Sequence, residues 1–110
     1  MELIKGTLDI LILKTLSWGP MHGYAISRWI RDTSDQELAV EEGALYPALR
    51  RLEKKGWLAA EWGETETGRE ARFYTLTDAG GEQLKAEVSL WERYVAAMSR
   101  VLEAPAPAAG

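Results

Sequence analysis

The segment from Gly43 to Gly56, Gly-Ala-Leu-Tyr-Pro-Ala-Leu-Arg-Arg-Leu-Glu-Lys-Lys-Gly, constrains the fold more than any other. At about 100° per residue a helix places Leu45, Ala48, Leu49 and Leu52 on one stripe. Pro47, Arg50, Arg51 and Lys54 fall on the opposite side, with Tyr46 on the flank. One side therefore needs a core, and the other presents positive charge. Pro47 sits about one turn in, where its missing N–H costs at most one intrahelical bond. Lys54 and Lys55 lie in the last turn, where the helix dipole favours cations. Gly56 stops the helix.

Two helices are expected before this one. The first spans about Leu3 to Ser17, with Leu8, Leu11, Ile12, Thr15 and Leu16 as a core stripe that Ile4, Ile10 and Leu13 widen nearly all round. Trp18-Gly19-Pro20 ends it. The second runs from His22-Gly23 to about Thr33, with Ala25, Ile26, Trp29 and Ile30 inward and Arg28 and Arg31 outward. Leu38-Ala39-Val40 reads as one short extended strand. After Gly56 the period becomes two. Residues Trp57 to Trp62 and Ala71 to Leu76 read as antiparallel strands, and the polar connection from Gly63 to Glu70 as a projecting flexible loop. Thr77 caps a last helix with Asp78 in its first turn; Gly80-Gly81 weaken that turn, and the helix continues to about Glu103. The Ala/Pro/Gly tail from Ala104 to Gly110 is expected to be disordered.

The expected fold is thus mainly α with a small β-hairpin: a winged helix-turn-helix followed by a long helix. That element order presents a helix to the DNA major groove. Residues 1–77 form the winged unit, 78–103 a dimerisation helix and 104–110 the tail. In the last helix Leu84, Val88, Trp91, Val95, Met98 and Leu102 are spaced 4, 3, 4, 3, 4, an a/d seam. A helix of 26 residues is about 39 Å long and must overhang so small a globule. A second copy covering the seam is the economical solution.

A net charge of −4 argues against nucleic acid when taken alone. Its distribution argues otherwise, because Gly43 to Trp57 hold 4 basic residues against 1 acidic. The chain has no cysteine, which removes disulfides, thiolate zinc sites and thiol catalysis and fits a reducing cytoplasm. No signal peptide is expected from the Met1-Glu2 start, and the apolar run Leu8–Leu16 is too short to span a bilayer. His22 is the sole histidine, without a companion base or ligand, and reads as a helix-start residue. No paired carboxylates or phosphate loop point to an enzyme, and no cofactor or metal is expected. Trp18, Trp29, Trp57 and Trp62 read as core or sheet packing.

The chain resembles the PadR family of bacterial transcriptional regulators. The carrying motifs are Gly-Thr-Leu-Asp-Ile-Leu-Ile-Leu at 6–13, Gly-Pro-Met-His-Gly-Tyr at 19–24 and Gly-Ala-Leu-Tyr-Pro-Ala-Leu-Arg-Arg-Leu-Glu at 43–53, with Gly-Trp-Leu at 56–58 and Tyr-Thr-Leu-Thr-Asp-Ala-Gly at 74–80. They cover all but the tail. Its length resembles the short subgroup with one C-terminal helix. The resemblance implies a homodimer that binds double-stranded DNA at a pseudo-palindromic operator, usually as a repressor. It places Tyr46, Arg50, Arg51 and Lys54 on the recognition helix and Arg69 and Arg72 on the wing. Lys55 is a further phosphate candidate, and Lys5 a weaker one. Relatives usually carry Ser-Pro where this chain has Glu41-Glu42, and a more basic wing where it has Glu64, Glu66, Glu70 and Ala71. The helix is therefore expected to dominate over the wing. Some members bind flat hydrophobic compounds between subunits, and Trp91, Val95 and Met98 could line such an effector site. The competing reading is a winged-helix protein-interaction module whose recognition helix meets an acidic protein. The −4 charge and the acidic wing keep that second reading open beside the leading one.

Overall fold

Four helices and three strands follow one another as α1 (Leu8–Leu16), β1 (Met21–His22), α2 (Gly23–Thr33), α3 (Glu42–Lys54), β2 (Leu58–Glu64), β3 (Glu70–Leu76) and α4 (Asp78–Glu103). This is a computed structural model, and it describes residues 1–108. The core forms where α1, α2 and α3 converge on the sheet. Ile12, Leu13, Leu16, Ile26, Ile30, Leu45, Leu49, Leu52, Leu58 and Tyr74 are all buried there. The α3 stripe is wholly buried, its four residues between 0 and 2 % exposed.

The sheet is antiparallel in the order β1-β3-β2. The sequence reading gave a two-stranded hairpin. The third strand is only the pair Met21–His22, which lies against Tyr74 and Phe73. Two residues are too few to show a period. Leu38-Ala39-Val40 was expected as a strand and pairs with nothing; Leu38 and Val40 instead lend half-buried side chains to the core. Strands β2 and β3 also run further than expected, to Glu64 and from Glu70. The projecting loop shrinks to Thr65–Arg69, closed by the Thr65 N–H donating to the Arg69 carbonyl (2.8 Å), with Gly68 at φ +82°.

The first helix is shorter than its apolar pattern. It begins at Leu8 rather than near Leu3, because Gly6 (φ +89°) turns the chain and Thr7 donates both its N–H and its hydroxyl to the Ile4 carbonyl. Ile4 therefore lies outside the helix and is exposed. His22 caps α2 as expected, its Nδ1 accepting from the Ala25 N–H at 3.2 Å.

Helix α4 starts at a tight joint. The Thr77 hydroxyl accepts from the Gly80 N–H (3.0 Å) and donates to the Gly56 carbonyl (2.7 Å), and the Thr77 N–H donates to the Trp57 carbonyl (3.1 Å). Gly80 is buried against Trp57, and a Cβ there would collide with the Trp57 carbonyl oxygen. Expected to be a weak helix start, Gly80 is instead the close approach that lets α4 begin against the turn that follows α3. From the joint α4 runs out past the globule. The chain measures 68 × 29 × 22 Å with a radius of gyration of 17.1 Å, against about 13 Å for a compact domain of this length. Residues 104–108 of the tail carry no regular structure and are exposed; the rest of the tail, 109–110, lies outside the described residues.

Candidate nucleic-acid interface

Burial of the α3 stripe fixes what its other side presents. Pro47, Arg50, Arg51 and Lys54 are exposed. Together with Glu53 and with Arg72 from β3 they line an open groove between α3 and the wing. The helix starts at Glu41, whose side chain makes no capping bond, with Glu42 in the first turn. Two carboxylates thus stand at the positive end of the helix dipole.

The groove sorts the candidate cations. Arg51 is held by Asp9 of α1. Arg72 donates to Glu53 at 2.9 Å, joining β3 to α3. Both pairs are partly exposed and are worth about 1 kcal/mol or less, so an incoming phosphate can displace either carboxylate. Arg50 and Lys54, one turn apart, have no carboxylate within ion-pair distance among the described residues. They are the cations open to a new partner. Lys55 lies 4.7 Å from the centroid of the Trp57 ring, a cation–π contact at the end of α3 outside the groove. Arg69 is exposed in the wing turn, and Lys5 sits in the turn before α1 rather than on the helix; neither lines the groove.

Tyr46 packs as well as presents. Its ring crosses the start of α2 over Gly23, where an added Cβ would lie 2.7 Å from the ring. That contact fixes the angle between α2 and α3. Beneath the groove Tyr74 is buried. Burial raises the Tyr74 phenol above its ordinary value, Arg72 opposes the shift, and Glu53 adds to it. Tyr74 stays neutral at physiological pH and adds no charge of its own.

Several contributors were invisible in the sequence. Asp9 lies 42 residues from Arg51, and no short-range pattern links them. Glu53 shares α3 with the cations, yet only the strand register brings Arg72 to it. Two tryptophans read as packing residues, Trp18 and Trp62, prove exposed, while Trp29 and Trp57 do pack against the core. Trp18 stands at the end of α1 with the Lys14 ammonium 4.7 Å from its ring centroid. Trp62 lies too far along β2 to reach the core. In α4, Leu84 packs on the subunit's own core and Val88 is half-buried, because the first turns of α4 lie over α1 and β3. Trp91, Val95, Met98 and Leu102 are 40, 42, 43 and 75 % exposed. The Trp91 and Tyr94 rings lie 6.4 Å apart.

A family model described as the transcriptional regulator PadR-like family matches residues 12–86, from the middle of α1 into α4. The chain belongs to the PadR-like family. A solved structure of a transcriptional regulator from Clostridium thermocellum is 34 % identical and superposes with a TM-score of 0.81, covering 88 % of this chain and 94 % of its own. A PadR family regulator from Eggerthella lenta is 32 % identical with a TM-score of 0.77, covering 92 % and 86 %. The negative transcriptional regulator PadR of Bacillus subtilis is 30 % identical over 77 residues, which are 70 % of this chain and 42 % of that protein. This chain thus matches less than half the length of that relative. As a PadR-like transcriptional regulator it has the winged-helix fold expected of it, and DNA binding is the work of such a fold. No helix among the described residues is long and apolar enough to cross a membrane.

Proposed function

We propose that this PadR-like regulator is a cytoplasmic homodimeric repressor that grips a pseudo-palindromic operator with one α3 from each subunit. The observation that carries the reading is the pairing of a fully buried stripe with two uncommitted cations, Arg50 and Lys54, on the opposite side of α3. Residues 1–77 act as the DNA-binding unit and 78–103 as the dimerisation helix. An Arg in the major groove can take guanine O6 and N7 bidentately, and Arg50 or Lys54 does the reading. Arg51 and Arg72 exchange their carboxylates for phosphates and fix register, with Tyr46, Lys55, Arg69 and Lys5 around them. A second copy covers Trp91, Val95, Met98 and Leu102, which one subunit leaves open. The two α3 helices then stand one DNA turn, or a multiple, apart. A flat hydrophobic effector fits between the subunits against Trp91, Val95 and Met98, and its binding releases the operator.

Footprinting on duplex from the region upstream of its own coding sequence tests the reading. A two-fold protected pattern is expected, with affinity falling with salt at a slope of about −0.9 per phosphate neutralised. Arg50→Glu with Lys54→Glu should abolish protection while leaving a folded dimer. Protection that survives the double reversal, or that ignores salt, rules the reading out.

A further inference from the structure

We infer that Trp62 is a DNA-contacting residue of the wing, an apolar contact in a wing whose net charge is negative. The inference rests on the DNA-binding reading above. Trp62 is 68 % exposed, although it lies inside a regular strand. Its register partner is Arg72. Alternation along β2 and β3 puts Leu58, Ala60, Trp62 and Glu64 on one face with Leu76, Tyr74, Arg72 and Glu70. That is the face turned to α3, since Tyr74 is buried there and Arg72 reaches Glu53. Directly opposite residues have Cβ atoms about 5 Å apart, so Trp62 stands next to Arg72, one residue outward from those that line the groove. On the reverse face Phe73 is covered by His22, ring edge to ring face at 5.3 Å, and lies over Gly63. The reverse face is thus partly covered at Phe73, while Trp62 leaves the front aromatic and open.

Charge says what the front can meet. From Leu58 to Leu76 the chain carries Glu61, Glu64, Glu66 and Glu70 against Arg69 and Arg72. Glu64 and Glu70 stand opposite each other just beyond Trp62. Such a wing repels phosphate more than it attracts it. An indole neutralises nothing and needs no counter-charge. It can lie on the deoxyribose wall of the minor groove beside the major groove that α3 enters. Nor does α4 of the same subunit cover it. Trp62 is five residues, about 17 Å, along the chain from Trp57, where the root of α4 is anchored.

The test uses the full chain and the duplex protected by wild type. Trp62→Ala should weaken binding about tenfold, as loss of an aromatic contact to nucleic acid does. The salt slope should stay unchanged, because no phosphate contact is lost. Protection should shrink at the outer flanks of each half-site, and Trp62→Phe should restore most of the affinity. Acrylamide quenching offers an independent measure: the fluorescence difference between wild type and Trp62→Phe should become shielded when duplex is added. Wild-type affinity in Trp62→Ala, or no shielding, overturns the inference and leaves the role of α3 standing. Absence of any protected duplex for wild type overturns both.

Discussion

Helices α3 and α4 both carry an apolar stripe, and the two stripes meet opposite surroundings. Leu45, Ala48, Leu49 and Leu52 vanish into the subunit, at 0–2 % exposure. Trp91, Val95, Met98 and Leu102 repeat the same logic at heptad spacing and remain 40–75 % exposed. Patterning thus specifies that a stripe wants covering, not what covers it. Chain length decides the second question. The globule can enclose 13 residues of α3, but it runs out beneath the 26 residues of α4. The buried stripe serves the stability of one chain, and in the proposed dimer the open one serves association.

If that contrast holds, damage to the two stripes should differ in kind. The largest effect is expected from Trp91→Glu, which places a charge on the open seam. Sedimentation should show the dimer replaced by a folded monomer at micromolar concentration, with operator binding lost. A variant that stays dimeric would move the contact away from the seam. Next comes Leu49→Ala in the closed stripe. It should lower unfolding free energy by about 2–5 kcal/mol through lost burial and a cavity, as read by denaturant titration. The loss should be the same at every protein concentration, whereas a seam variant should show a concentration-dependent one. The smallest is Gly80→Ala, where the root of α4 meets Trp57. The added methyl has to push Trp57 aside, for about 1–3 kcal/mol of overpacking strain, measurable by thermal melting. An unchanged midpoint would mean that the joint yields.

The elements legible in the sequence were those with a strong period or a local cap. The α3 stripe, the His22 and Thr77 caps and the length of α4 needed only neighbours within a turn or two. What was illegible depends on distant parts of the chain. The apolar pattern near Ile4 continues a helical period, yet the Gly6 turn cuts it. The β1 pair exists because β3 offers it an edge, not because of its own two residues. At the site, the cationic side of α3 was plain in the residue types. The division between tied Arg51 and Arg72 and open Arg50 and Lys54 was not, since Asp9 and the wing arrive from elsewhere. The exposure of Trp62 was misread for a related reason. An aromatic in an alternating strand signals a packed face only as far as the core extends, and β2 outruns it.

The joint at Thr77 has a mechanical consequence. Two hydrogen bonds and one glycine contact weld the root of α4 to Gly56 and Trp57, the turn between α3 and β2. With an arm of about 39 Å, a tilt of about 5° at the root displaces the far tip by about 3 Å, close to one base-pair step. A stiff root makes the arm a lever without slack: a small wedge driven between two paired arms would reset the distance between their reading heads, and DNA, whose pitch is fixed, would register the change as release.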